Sequence, residues 1–197
     1  MQKLVIASNN QGKLREFQRM LAPLGIEVLT QAQLGISEAE EPHCTFVENA
    51  LAKARHVSRA CGLPALADDS GICVDALGGA PGVISARYAG DSPKSDQKNN
   101  GKLLREMQGI ADRNAHYYCV LVLVRHADDP QPLIAEGEWH GEIFQEERGD
   151  GGFGYDPMFW LPQYGKTAAE LSHDDKAQIS HRALALKVLL EKLKLKH

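Results

Sequence analysis

Hydrophobic positions follow two rhythms along the chain: short solid apolar runs, and apolar residues recurring at helical spacing. Leu4-Val5-Ile6-Ala7 is a solid run and predicts a buried strand. It hands over to a polar loop, Ser8-Asn9-Asn10-Gln11-Gly12, and then to a helix with Leu14, Phe17 and Leu21 on one face. A second helix opens at Thr45, where Thr45 and Glu48 have capping-box spacing. Its apolar face runs through Val47, Ala50, Leu51, Ala54 and Val57 to a stop at Gly62, and its polar face places Asn49, Lys53 and His56 together.

Pro64 to Ala67 predicts another strand, and Ile72 to Leu77 follows. A glycine-rich connection, Gly78 to Gly82, leads to Ser85-Ala86-Arg87-Tyr88. A helix is expected from Asp96 to Met107, weakened by Gly101 and Asn99-Asn100. His116 to His126 is rich in Tyr, Val and Leu, and an Asp128-Asp129-Pro130 turn joins it to Leu133 to Ile143, which reads as an antiparallel hairpin. Gly149 to Pro157 is a glycine-dense loop, and the last helix covers Ala183 to Leu195. Helices and strands alternate early and strands then pair locally, so the expected fold class is α/β with a mixed sheet.

With 197 residues, of which 43% are hydrophobic, the chain can build one sizeable core, and no Pro/Ser-rich linker divides it. A single domain over 1–197, of one or two lobes, is expected. The net charge of -4 and pI near 6.1 argue against a nucleic-acid polymer as main partner, which would call for a basic face. No apolar run reaches the roughly 18 residues of a membrane span, and Met1-Gln2-Lys3 enters the first strand without a signal-peptide pattern, so a soluble cytoplasmic protein with no membrane partner is expected. Cys44, Cys61, Cys73 and Cys119 lack zinc-type spacing and read as reduced thiols.

Candidate chemistry starts with Asp68 and Asp69, adjacent carboxylates after an apolar run. At a strand's carboxyl end such a pair suits Mg²⁺ or the activation of water, whereas Asp, Ser and Gly also make ordinary turns. The Ser8 to Lys13 loop has small polar donors, a glycine, a lysine and the N–H groups of a helix start, as an anion site needs; it is also a plausible plain βα turn, and it lacks the Walker A spacing. Glu38, Glu40 and Glu41 either form a solvated loop or supply a second carboxylate for a metal. In Gly151-Gly152-Phe153-Gly154-Tyr155-Asp156-Pro157 the aromatics either stack a base or plug the core. Ser180-His181-Arg182 either caps the last helix or donates hydrogen bonds to a carbonyl-bearing base. Lys53 and Lys176, taken singly, are solvated helix charges. The adjacency of Asp68 and Asp69 also departs from the Asp-x-Asp of haloacid-dehalogenase-type phosphatases.

Ser8-x-Asn10-x-x-Lys13, Thr45-Phe46-x-Glu48-Asn49-Ala50-x-x-Lys53, Ala67-Asp68-Asp69-Ser70-Gly71, Gly79-Ala80-Pro81-Gly82 with Ser85-Ala86-Arg87-Tyr88, Gly152-Phe153-Gly154-Tyr155-Asp156-Pro157 and Ser180-His181-Arg182, in that order, closely resemble the inosine/xanthosine triphosphate pyrophosphatase family, its bacterial branch in particular. The resemblance implies Mg²⁺-dependent hydrolysis of dITP, ITP and XTP to monophosphate and pyrophosphate. It implies an elongated mixed central sheet flanked by helices, two lobes with an intervening cleft, and a homodimer. Carried over by motif, Ser8, Asn9, Asn10, Gln11, Gly12 and Lys13 hold the triphosphate, with Lys53 and Lys176 adding positive charge. Asp69 binds the metal and acts as general base, Glu41 is the second metal-linked carboxylate, and Ser70 contacts substrate. Phe153, Gly154, Tyr155 and Asp156 form the base-side wall, and His181 with Arg182 reads the 6-keto group.

Overall fold

A computed structural model describes residues 2–90 and 92–194, with Gln11 described by its backbone alone. One sheet has the strand order β2-β1-β3-β4-β5-β6-β7. Its strands are β1 (Lys3–Ile6), β2 (Glu27–Thr30), β3 (Ala65–Val74), β4 (Asn114–Val124), β5 (Leu133–Ile143), β6 (Phe159–Leu161) and β7 (Lys166–Thr167). The helices are α1 (Gln11–Leu21), α2 (Phe46–Cys61), α3 (Asp96–Glu106), α4 (His173–Ile179) and α5 (His181–Lys194). β1 pairs in parallel with β2 and β3, while β6 is antiparallel to β5 and β7, so the fold is α/β with a mixed sheet.

Two compact units share these elements. The first holds the chain up to Asp69, Cys119–Gly137 and the chain from Leu184; the second holds Ser70–Tyr118 and Glu138–Ala183. In the first, Leu4 and Ile6 of β1, Phe17 and Leu21 of α1, Leu121 of β4 and Leu189 of α5 build the core. In the second, Ile72, Leu103, Trp139, Met158 and Phe159 do so. Burying a side chain of this size contributes about 1.5–3 kcal/mol.

The predicted helices form with the expected caps. Thr45 accepts the Glu48 N–H at the start of α2, and Gly62 closes that helix. The last helix starts at His181, two residues before the expected Ala183, and its expected end at Leu195 lies outside the described residues. The turn expected at Asp128-Asp129-Pro130 is organised by Asp129, which accepts hydrogen bonds from the backbone N–H groups of Arg125 and Gln131 and from the Arg125 guanidinium.

Of the two readings of Asp68-Asp69-Ser70-Gly71, the turn is not formed: these residues lie within the continuous strand β3. Turn propensity loses here because β3 is an interior strand with β1 on one side and β4 on the other. Pairing with β1 ends at Ile6↔Leu66, so Asp68 and Asp69 still lie past the carboxyl end of β1. The sequence pattern passed over β2, β6, β7 and α4, each too short for its periodicity to register. Among the described residues no helix is long and apolar enough to cross a membrane.

Candidate active site

Neighbouring residues of a strand point to opposite faces of its sheet, which separates the two aspartates. Asp68 receives Lys13 Nζ of α1 at 2.7 Å, and Asp69 Oδ1 receives Lys53 Nζ of α2 at 3.3 Å. Lys53 also donates to Glu41 at 2.6 Å. Lys13 thus pairs with Asp68, and Lys53 is shared between Glu41 and Asp69. Burial raises the Asp69 carboxyl above its ordinary range; Lys53 opposes this, and Glu41 and Asp68 reinforce it. Burial disfavours the charge on Lys53, but the carboxylates of Asp69, Asp68 and Glu41 outweigh it and hold the ammonium above its ordinary range.

Glu41 owes its place to the polar face of α2. Asn49 exchanges hydrogen bonds with the backbone of His43, Lys53 holds Glu41, and the His56 ring bonds the Ser37 carbonyl at 2.9 Å. Three helix positions one turn apart therefore strap the irregular segment 37–43 along the helix. Of the three glutamates in that segment, Glu38 receives Asn9 Nδ2 and Glu40 is exposed, whereas Glu41 shares a lysine with Asp69.

The α1 loop is ordered by its own side chains. Ser8 Oγ accepts the Asn10 N–H, and Asn10, the N-cap, accepts the Lys13 N–H. The first turn of α1 carries no acidic residue, so its N–H groups at Gln11 and Gly12 and its dipole are not neutralised from within the helix. The Gln11 side chain lies outside the described residues.

Asp69 Oδ2 is buried and, among the described residues, accepts no hydrogen bond, an expensive state for a carboxylate oxygen. That orphaned oxygen and the nearby Glu41 fit a hard divalent cation, which takes one or two protein carboxylates and completes its shell with water and phosphate oxygens.

The second unit carries the aromatic glycine loop. Asp156, 2% exposed, accepts from the Phe153 N–H at 2.8 Å and Tyr117 Oη at 3.2 Å, and it pairs with Lys176 of α4. Lys176 therefore sits with the loop, its Nζ 4.7 Å from the centre of the Phe153 ring. Phe153 is 60% exposed, whereas Tyr155 is buried and donates to the Ser85 carbonyl, so the core-plug role falls to Tyr155 alone. Gly154 donates its N–H to Asp96 at 2.8 Å and accepts from Asn100 at 3.2 Å, both on α3. His181 stacks on Tyr117 with ring centres 4.8 Å apart, and Arg182 Nη2 lies 3.5 Å from Ser70 Oγ.

Sequence reasoning did not single out Tyr117, Asp96 or Asn100. The alternation along β4 marks Tyr117 as inward-facing, but nothing in sequence connects it to a carboxylate far along the chain. Trp139 packs against Phe159 and Trp160 stacks on Phe144.

Fold and site together define a mixed-sheet α/β protein whose carboxylates and lysines gather past the end of a parallel strand pair, a class of site suited to a polyphosphate and a divalent cation. A model of the Ham1 family matches residues 4–192, and the chain belongs to that family. It is 68% identical over 99% of its length to a dITP/XTP pyrophosphatase of Ralstonia nicotianae, covering 98% of that protein. It is 66% identical over 98% of its length to a dITP/XTP pyrophosphatase of Nitrosomonas europaea, covering 95% of that protein. The structure of a HAM1 protein from Coxiella burnetii matches with a TM-score of 0.95 at 45% identity, over 100% of both chains.

Proposed function

We propose that this chain hydrolyses non-standard purine nucleoside triphosphates, dITP, ITP and XTP, to the nucleoside monophosphate and pyrophosphate, clearing deaminated purines from the nucleotide pool. The family and the names of its relatives support the activity. The single structural observation behind the chemistry is the buried, unpartnered Oδ2 of Asp69 beside Lys53.

In this mechanism water attacks the α-phosphorus, the bond from that phosphorus to the bridging oxygen of the β-phosphate breaks, and pyrophosphate departs with the electron pair. Asp69 takes the proton of the attacking water, and Lys53 holds its carboxylate through Oδ1. Ser8, Asn9, Asn10, Gln11, Gly12 and Lys13 bind the triphosphate at the start of α1. Mg²⁺, held by Asp69 and Glu41, would neutralise phosphate charge and acidify the water. Phe153 stacks the purine, with Gly154, Tyr155 and Asp156 shaping its wall and Lys176 fixing Asp156. His181 and Arg182 donate to O6, and adenine is refused because its 6-amino group faces those donors unpaired. Ser70, its Oγ 3.5 Å from Arg182 Nη2, contacts the substrate. The reading includes a cytoplasmic homodimer that takes a small nucleotide and neither a nucleic-acid polymer nor a membrane as partner.

A panel of triphosphates assayed with Mg²⁺ tests the proposal. Pyrophosphate from ITP, dITP and XTP is expected; preference for TTP or UTP, or release of orthophosphate, would overturn it. Asp69→Asn should cut turnover about 10²–10⁴-fold, the usual worth of a general base, while the far-UV circular dichroism stays that of the parent. Near-parental turnover would remove Asp69 from the role.

A further inference from the structure

We propose that Asp96 and Asn100 of α3 are positioning residues for the purine, gripping Gly154 so that Phe153 is held ready for stacking. The proposal rests on the reading above, in which Phe153 faces the base.

The geometry is specific. Asp96 Oδ2 accepts the Gly154 N–H at 2.8 Å, and Asn100 Nδ2 donates to the Gly154 carbonyl at 3.2 Å. The first bond fixes the peptide that joins Phe153 to Gly154, and the second fixes the peptide that follows. The ring presented by this clamp is 60% exposed, although the loop around it is anchored to buried groups. An exposed aromatic beside two restrained peptides suits a flat ligand better than it suits the core, because most of the ring stays open to solvent while its orientation is set.

Asn100 is a poor residue for stability alone. It is 3% exposed and, among the described residues, its Oδ1 has no hydrogen-bond partner while its Nδ2 donates to the Gly154 carbonyl. A buried amide left half satisfied is destabilising, and an apolar residue at this helix position would avoid that. What the amide achieves here is control of the loop.

The test is steady-state pyrophosphate release from ITP by the parent, Asp96→Ala, Asp96→Asn and Asn100→Ala, with hydrogen exchange followed at Gly154. Asp96→Ala and Asp96→Asn remove the same charge from the start of α3, but only Asn keeps an acceptor for the Gly154 N–H. Asp96→Ala is expected to raise KM for ITP about tenfold with kcat within about twofold, the signature of lost binding, while Asp96→Asn stays near the parent. Asn100→Ala should shift KM the same way, and Gly154 should exchange faster in the Ala variants. A parental KM in Asp96→Ala, or equal defects in Asp96→Ala and Asp96→Asn, would overturn the proposal. So would a fall in kcat alone. An inactive parent would sink the function reading and the purine role with it, whereas an active parent with unmoved KM values sinks only the clamp.

Discussion

Replacing Gly152 with alanine should destabilise the protein far more than the same change two residues later. At Gly152 φ is +78°, and a Cβ there would stand 2.2 Å from Asp156 Oδ2 and 2.9 Å from the Asp156 Cβ and Cγ. That carboxylate cannot swing aside freely, because it accepts the Phe153 N–H and Tyr117 Oη and pairs with Lys176 in a buried setting. The left-handed backbone alone costs an alanine about 1–2 kcal/mol. Displacing a buried carboxylate from its donors adds about 1.5–3 kcal/mol. Gly154 has φ of +62° with open space where a Cβ would go, so Gly154→Ala carries only the backbone part. Urea unfolding of both variants against the parent, with the slopes checked for equality, measures the difference. Gly152→Ala should lose at least about 1.5 kcal/mol more than Gly154→Ala. Variants equal within about 0.5 kcal/mol would show that the carboxylate is not committed as described.

Two further outcomes follow from polar groups outside the reacting centre. The Arg125 guanidinium and the backbone N–H groups of Arg125 and Gln131 hold the Asp129 carboxyl well below its ordinary range. A depressed carboxyl stabilises the fold above the unfolded pKa and loses that contribution as pH falls through the folded one. The stability gap between the parent and Asp129→Asn should therefore narrow once pH drops below about 4, and a gap that widens in acid unfolding curves contradicts the assignment. Asn49→Ala frees the backbone of His43 and should raise the Mg²⁺ concentration needed for half-maximal activity several-fold while saturating activity is retained; an unchanged titration midpoint argues against the strap.

The long elements and their caps were legible in the sequence because periodicity and end signals agree there, as in α2 between Thr45 and Gly62. Composition alone left the β3 carboxylates open between a ligand site and a turn because it says nothing about neighbouring strands, and β1 and β4 decide the matter. Within the site, Lys53 was visible as a polar-face lysine, but its bond to Glu41 was not: no local spacing reports a contact between a helix and the irregular chain before it. Lys176 was expected beside the triphosphate through family resemblance, and its pairing with Asp156 depends on a fold-level contact that a single helix charge does not announce. Phe153 and Tyr155 share one loop and one chemistry, and only burial separates the exposed ring from the packed one.

The strap along α2 makes the helix a ruler for a stretch of chain with no regular structure of its own. Rungs at Asn49, Lys53 and His56 read off positions 43, 41 and 37, so the placement of Glu41 is copied from helical pitch. Changes of side chain between the rungs leave that measure intact. Insertion of a single residue between Glu41 and His43 does not, because each residue of extended chain adds about 3.3 Å and no neighbouring rung can take up the slack. Tolerance in this segment is therefore set by length and not by composition.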